Sequence, residues 1–180
     1  MKKLLPTLAA AVMVAATVAG CGSGGDNGGQ QLSAADQSVA NHMSSYLAKN
    51  GNGSISKRDA QCISESWVRQ SGVAKLKKSK VITSSGQVNT QNNTKITPSL
   101  AGDYADALLG CINYAKLQSQ AVAKVNPKID AQKMTDCFGK AMPKADEKKL
   151  LVSTMTGKPD QQLTQQNAQA IQTCQAKAQK

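Results

Sequence analysis

Aromatic side chains are scarce in this 180-residue chain. It has one Phe, one Trp and three Tyr, 3% of the sequence. A large ring-stacked core is excluded, so any core must rest on aliphatic residues and Met. Histidine occurs once, as His42. A zinc site made of several imidazoles is therefore excluded. A serine triad needs a histidine oriented by an acid, which leaves His42 with Asp36 and a serine as the candidate. Nothing in the spacing brings those three together, and His42 reads as a polar residue on a helix face. No Gly-rich phosphate loop follows a strand pattern, because convincing strand patterns are themselves lacking. Acidic residues are also few, 11 against 22 basic, for a net charge of +11.

Long apolar runs are missing as well, apart from one at the start. Residues 4–18 are apolar except for Pro6 and two threonines, and they follow the basic pair Lys2-Lys3. The run is about 15 residues, short of the roughly 20 that span a bilayer. Basic start, apolar middle and small residues at the end are the anatomy of an export signal. The signal runs into "TVAGCGSGGDNGG", where Val18-Ala19-Gly20-Cys21 precedes a glycine-rich stretch. This tetrad resembles the lipobox of bacterial lipoproteins. The resemblance implies a diacylglycerol on the Cys21 sulfur, cleavage before Cys21 and, in many bacteria, acylation of the new amine. Residues 1–20 are then the signal peptide, and residues 21–32 are the lipidated cysteine with a flexible polar tether. Two or more acyl chains hold a protein firmly on a membrane. The expected location is the outer side of the cell membrane, or an outer membrane if the envelope has one. Gly22 does not resemble the Asp-type signal that retains lipoproteins at the inner membrane.

Loss of Lys2 and Lys3 with the signal lowers the net charge to about +9. In an exported protein this balance points to anionic lipid or wall polymer and away from nucleic acid. One local cluster, Lys75, Lys77, Lys78 and Lys80, is the candidate contact. The body, residues 33–180, has the length of one domain. Large apolar and aromatic residues supply only about a quarter of it. So thin a core benefits from covalent staples, and export places the chain where disulfides persist.

Periodicity predicts helices throughout. Ser33 caps a helix through about residue 49, with Val39, Met43 and Leu47 on one face. Ser56 and Asp59 form a capping-box-like start to the next, which carries Cys62, Ile63, Trp67 and Val68 and breaks at Gly72. Residues 73–78 add a turn. The polar stretch 79–98 reads as a loop, with a hairpin of Val81-Ile82 against Val88 not favoured. Pro98 and Ser99 open a helix with Leu100, Tyr104, Ala107, Leu108 and Cys111 on its face. Asn113 caps a helix with Leu117 and Val122 inward. Asp130 caps one carrying Met134, Cys137, Phe138 and Met142. A further helix covers residues 144–155 and stops at Gly157, and Pro159-Asp160 opens the last. The expected fold is all-α, without a substantial sheet.

An internal repeat organises these helices. "LAGDYADALLGC" (100–111) aligns without gaps on "LTQQNAQAIQTC" (163–174). Leu, two Ala and Cys match in register. Upstream, Cys62-Ile63 with Trp67 mirrors Cys137-Phe138 with Met142. The units run approximately over 56–111 and 130–174. Once Cys21 is set aside, four cysteines allow three pairings. The repeat favours Cys62–Cys111 and Cys137–Cys174, one staple per unit, ahead of Cys62–Cys137 with Cys111–Cys174. Helical units, widely spaced cysteines and the segment "DYADALLGC" resemble a set of uncharacterised exported actinobacterial proteins, many of them lipoproteins. That resemblance implies fold and location only. This chain departs from the set in being basic and rich in Gln, Asn and Lys.

"AKNGNGSISKRD" (48–59) superficially resembles a calcium loop, with Asn50, Asn52 and Gly53 in ligand and turn positions. Its first position is Ala48 and its last is Asp59, however, and Lys49, Lys57 and Arg58 repel a cation that needs six to eight oxygens. A helix-to-helix connection is the better reading, and neither metal nor cofactor is expected. The functional expectation is a membrane-anchored lipoprotein that acts without catalysis, as a binding or scaffolding module for an envelope protein. A small-ligand or lipid carrier is the alternative. A hydrolytic enzyme built on His42 comes third.

Overall fold

A computed structural model describes residues 31–51, 54–91 and 96–179. They form eight α-helices and no sheet: α1 (Ala34–Asn50), α2 (Lys57–Ser71), α3 (Val73–Lys78), α4 (Pro98–Cys111), α5 (Tyr114–Val125), α6 (Ala131–Ala141), α7 (Lys144–Met155) and α8 (Gln161–Lys177). The boundaries follow local capping chemistry. Side-chain oxygens of Ser33, Ser56, Thr97, Asn113, Asp130 and Asp160 each accept from a backbone N–H in the following helix. Those bonds satisfy donors that have no partner within the helix. Thr97 caps α4, and Pro98 and Ser99 open it, with Pro98 in the first turn, where a missing N–H costs nothing. Gly72 ends α2 at φ 73°, a conformation that side-chain-bearing residues rarely adopt.

Each half of the body packs in the same order. Helix α1 lies on α2 and α2 on α4, while α5 lies on α6 and α6 on α8. The repeat therefore extends upstream of both cysteine-bearing segments, with α5 as the counterpart of α1. Disulfides Cys62–Cys111 and Cys137–Cys174 tie α2 to α4 and α6 to α8, with Cα separations of 5.8 and 5.6 Å. The caps of the two closing helices also match, since Thr97 and Asp160 each lie three residues before the aligned leucines Leu100 and Leu163.

Two hydrophobic clusters result. The first gathers Met43, Ile63, Trp67, Val68, Leu76, Ile82, Leu100 and Leu108. The second gathers Met134, Phe138, Met142, Leu150, Leu163 and Cys174. Each has one aromatic contact: Trp67 meets Tyr104 edge-on at 4.7 Å, and Tyr114 meets Phe138 at 6.4 Å. Helix α7 joins the halves by packing on α4. Its neighbouring leucines divide the task, with Leu150 in the second cluster and Leu151 against the first. Because α4 is covered by both α2 and α7, it buries Ala105 as well as Leu100, Ala101, Ala107 and Leu108. The aligned α8 leaves Ala168 exposed, which is consistent with its run of glutamines.

Three details differ from the sequence expectation. The segment after α3 is not a plain polar loop. Ile82 bridges Val88 in antiparallel fashion, Thr83 N–H donates to Gln87 O at 2.8 Å, and Asn89 N–H donates to Val81 O at 2.9 Å. Gly86, at φ 83°, supplies the turn, and burial of Val81 and Ile82 in the first cluster holds it there. The buried face of α5 runs through Ala115 and Ser119, with Leu117 only half covered. Cys62 is exposed despite its place beside the buried Ile63, so that staple lies at the rim of its unit.

Loops of this length stabilise by about 4 kcal/mol per disulfide in the chain-entropy account. Urea unfolding of the pairwise variants Cys62→Ser/Cys111→Ser and Cys137→Ser/Cys174→Ser should each show a loss of about that size. Losses below about 1 kcal/mol in both would contradict the role given to the staples.

Candidate functional site

The residues singled out from the sequence do not converge on one place. Val18, Ala19, Gly20 and Cys21 lie outside the described residues, as do Asn52 and Gly53 of the calcium-like loop. In the remainder of that loop, Ala48 and Lys49 belong to α1, and Asp59 accepts the Ser56 hydroxyl proton at 2.7 Å. Among the described residues no three His, Cys, Asp or Glu side chains group to hold a metal ion. His42 meets the turn after α3: its Nδ1 lies 3.3 Å from the Gly86 carbonyl oxygen, and the Gln87 amide nitrogen lies 3.0 Å from its Nε2. The same Gln87 nitrogen lies 3.2 Å from Nδ1, so the ring is held between the Gly86 carbonyl and the Gln87 side chain. Asp36 is engaged with Ser33 at the start of α1. His42 and Asp36 thus have separate partners.

The lysine cluster divides. Lys75 pairs with Asp103 at 2.8 Å and reaches the Ser99 hydroxyl at 2.9 Å, tying α3 to α4. The Ser71 hydroxyl donates to the same Asp103 oxygen at 2.9 Å. Lys77, Lys78 and Lys80 are exposed. Lys77 and Lys80 border a shallow groove of about 380 Å³ along the bridged turn.

A cleft of about 550 Å³ opens where α4 hands over to α5 and where α6 hands over to α7. Its walls include Ile112, Tyr114, Asp136, Met142, Lys144 and Glu147. Local rules put each side chain there. Tyr114 is the first residue of α5 behind the Asn113 cap. Asp136 lies one residue before the disulfide cysteine Cys137 on α6, and its Oδ1 accepts from the Gln132 amide at 2.9 Å. Lys144 opens α7 after Pro143, and Glu147 follows one turn later.

Glu147 is the unusual member, at only 4% exposed. Charged carboxyls are rarely that buried without a partner. Its carboxyl oxygens have neither a hydrogen bond nor an ion pair among the described residues. Burial pushes its pKa up from the ordinary carboxyl value, and the nearby Lys144 charge opposes that shift. The Tyr114 hydroxyl is likewise pushed up by burial, against a hydrogen bond to Gln118 and with a smaller contribution from the Glu147 charge. A buried acid and a half-buried phenol thus face one solvent-connected cavity, and perturbed groups in a cleft mark a candidate binding site. Sequence reasoning passed over this place. The available signal was phase: Glu147 precedes Leu150 and Leu151 by three and four residues, so an acid falls on the apolar face of α7.

No protein family, curated protein or solved structure matches the chain.

The raised Glu147 pKa has a consequence for stability. The folded chain holds this proton to higher pH than the unfolded chain does. As pH rises past the ordinary carboxyl pKa, the unfolded state ionises first and stability falls until the folded pKa is passed. Glu147→Gln removes that cost. Thermal melts should show the variant more stable than the native chain at pH 7.5, with the difference shrinking toward pH 4. A variant equally destabilised at both pH values would contradict the account.

Proposed function

We propose that the protein is a lipid-anchored, non-catalytic binding module of a bacterial cell envelope. The observation that carries this reading is the cysteine count. Cys62, Cys111, Cys137 and Cys174 are consumed in pairs. Cys21 is thereby the one cysteine left over, and it is the one that ends Val18-Ala19-Gly20-Cys21. Paired cysteines are typical of oxidising, extracytoplasmic compartments. No described helix is long and apolar enough to cross a membrane, so the body itself offers no helical anchor among the described residues. A thioether-linked diacylglycerol on Cys21 supplies one.

The absence of catalysis in this reading rests on His42, whose partners are a backbone carbonyl and a glutamine amide. Exposed Lys77, Lys78 and Lys80 suit contact with anionic lipid or wall polymer. The partner protein is an envelope component, met by the polar helical surface. A small-ligand carrier is the second reading, and the cleft at Glu147 is the observation that favours it.

Metabolic labelling with palmitate, followed by membrane fractionation, tests the anchor. The native chain should carry the label and sediment with membranes, whereas Cys21→Ser should lose the label and remain unprocessed or leave the membrane. Cross-linking in the native envelope should then capture a partner that the mislocalised variant fails to capture. A Cys21→Ser chain that still carries label on the membrane and captures the same partner would overturn the proposal.

A further inference from the structure

We infer that the cleft between α4, α5, α6 and α7 is a binding site for a small organic ammonium ion, with the Glu147 carboxylate as its principal partner. The inference rests on the binding-module reading and names the ligand class for it.

Three observations point this way. First, Glu147 is nearly fully buried, lines the cleft and has no hydrogen-bond or ion-pair partner among the described residues. An unpaired buried acid costs stability, and the cost is offset when a cation or donor enters beside it. Second, the cleft reverses the charge of its surroundings. Asp136 and Glu147 face one lysine, Lys144, in a chain whose net charge is +11. Lys144 forms no ion pair with Glu147, and it is exposed while Glu147 is buried. The acid is thus covered by the fold with its oxygens left open to the cleft, while the competing ammonium is carried by an exposed side chain. Third, the rest of the wall suits the carbon chain of such a ligand. Ile112, Ala115 and Met142 are apolar, and Tyr114 adds an aromatic ring of the kind that attracts ammonium groups. A volume of about 550 Å³ falls in the range of small-molecule sites.

The chemistry that follows is simple. An alkylammonium entering the cleft donates to the Glu147 oxygens, which lose their shared preference for a proton as the cation arrives. Asp136 retains one oxygen not used by Gln132 and accepts at the rim. The alkyl portion lies along Ile112 and Met142. A carboxylate ligand instead meets two acids and a single lysine.

Calorimetric titration of the purified full-length chain with putrescine, n-butylammonium and butyrate at neutral pH tests this. The two amines should bind with a Kd below about 1 mM, and butyrate should show no heat of binding. Glu147→Gln should weaken amine binding about tenfold or more, since it keeps the shape and removes the charge. Lys144→Gln, at an exposed position, should tighten it by about two- to fivefold. This variant tests the charge argument even if Glu147→Gln fails to fold. Absence of amine binding up to about 10 mM, preferential binding of butyrate, or weaker binding by Lys144→Gln would overturn the inference. Because the titration needs no membrane, its failure leaves the anchor reading to the palmitate experiment, and failure of the anchor leaves this result standing.

Discussion

The two disulfides are the constraint on which the rest of the body depends. Aromatic residues make up 3% of the sequence, and the apolar residues available are divided between two clusters. Neither cluster is large, and small cores leave little margin over conformational entropy. Cys62–Cys111 and Cys137–Cys174 each join the helix that opens the repeat unit to the helix that closes it. They limit the unfolded chain where the core alone does least. The same pairing removes four cysteines from the chemistry of the body and leaves Cys21 as the one cysteine outside the two staples. Two staples of this kind are typical of an oxidising, extracytoplasmic compartment.

The seam between the units has a different character. Helix α7 packs on α4 and sends Leu150 to one cluster and Leu151 to the other. Tyr114 touches both clusters as well. At this crossing the packing stays open, and the cleft places Glu147 where a leucine would bury more comfortably. Its raised pKa and missing partner make it a stability cost in the free protein. Such costs gather at functional sites, where geometry suited to a ligand is retained against the interest of the fold. The seam is therefore where the two halves join and where the body departs most from simple packing.

Much of the fold was legible from residues alone because the signals were local. Ser33, Ser56, Asn113 and Asp130 announce helix starts, and each makes the cap bond expected of it. The disulfide pairing was legible because the repeat placed one cysteine early and one late in each unit. What escaped depends on tertiary contact. Ile82 bridges Val88 and Val81 accepts from Asn89 because the first cluster is there to cover both apolar side chains, which the polar composition of residues 79–98 conceals. Asp103 takes Lys75 out of the exposed basic cluster, although the two lie far apart in sequence. The cleft at Glu147 needs four helices to meet, and only the apolar phase of α7 hinted that this acid faces inward.

The central claim is that each repeat unit is held by its own staple and that the pair together maintain the thin core. Hydrogen exchange on the oxidised and the reduced chain, read helix by helix, tests it most directly. Reduction should collapse protection in α2 and α4 and in α6 and α8, with α7 losing protection alongside them. Protection that survives reduction unchanged in both units would show that the clusters suffice without the disulfides, and the account would be wrong.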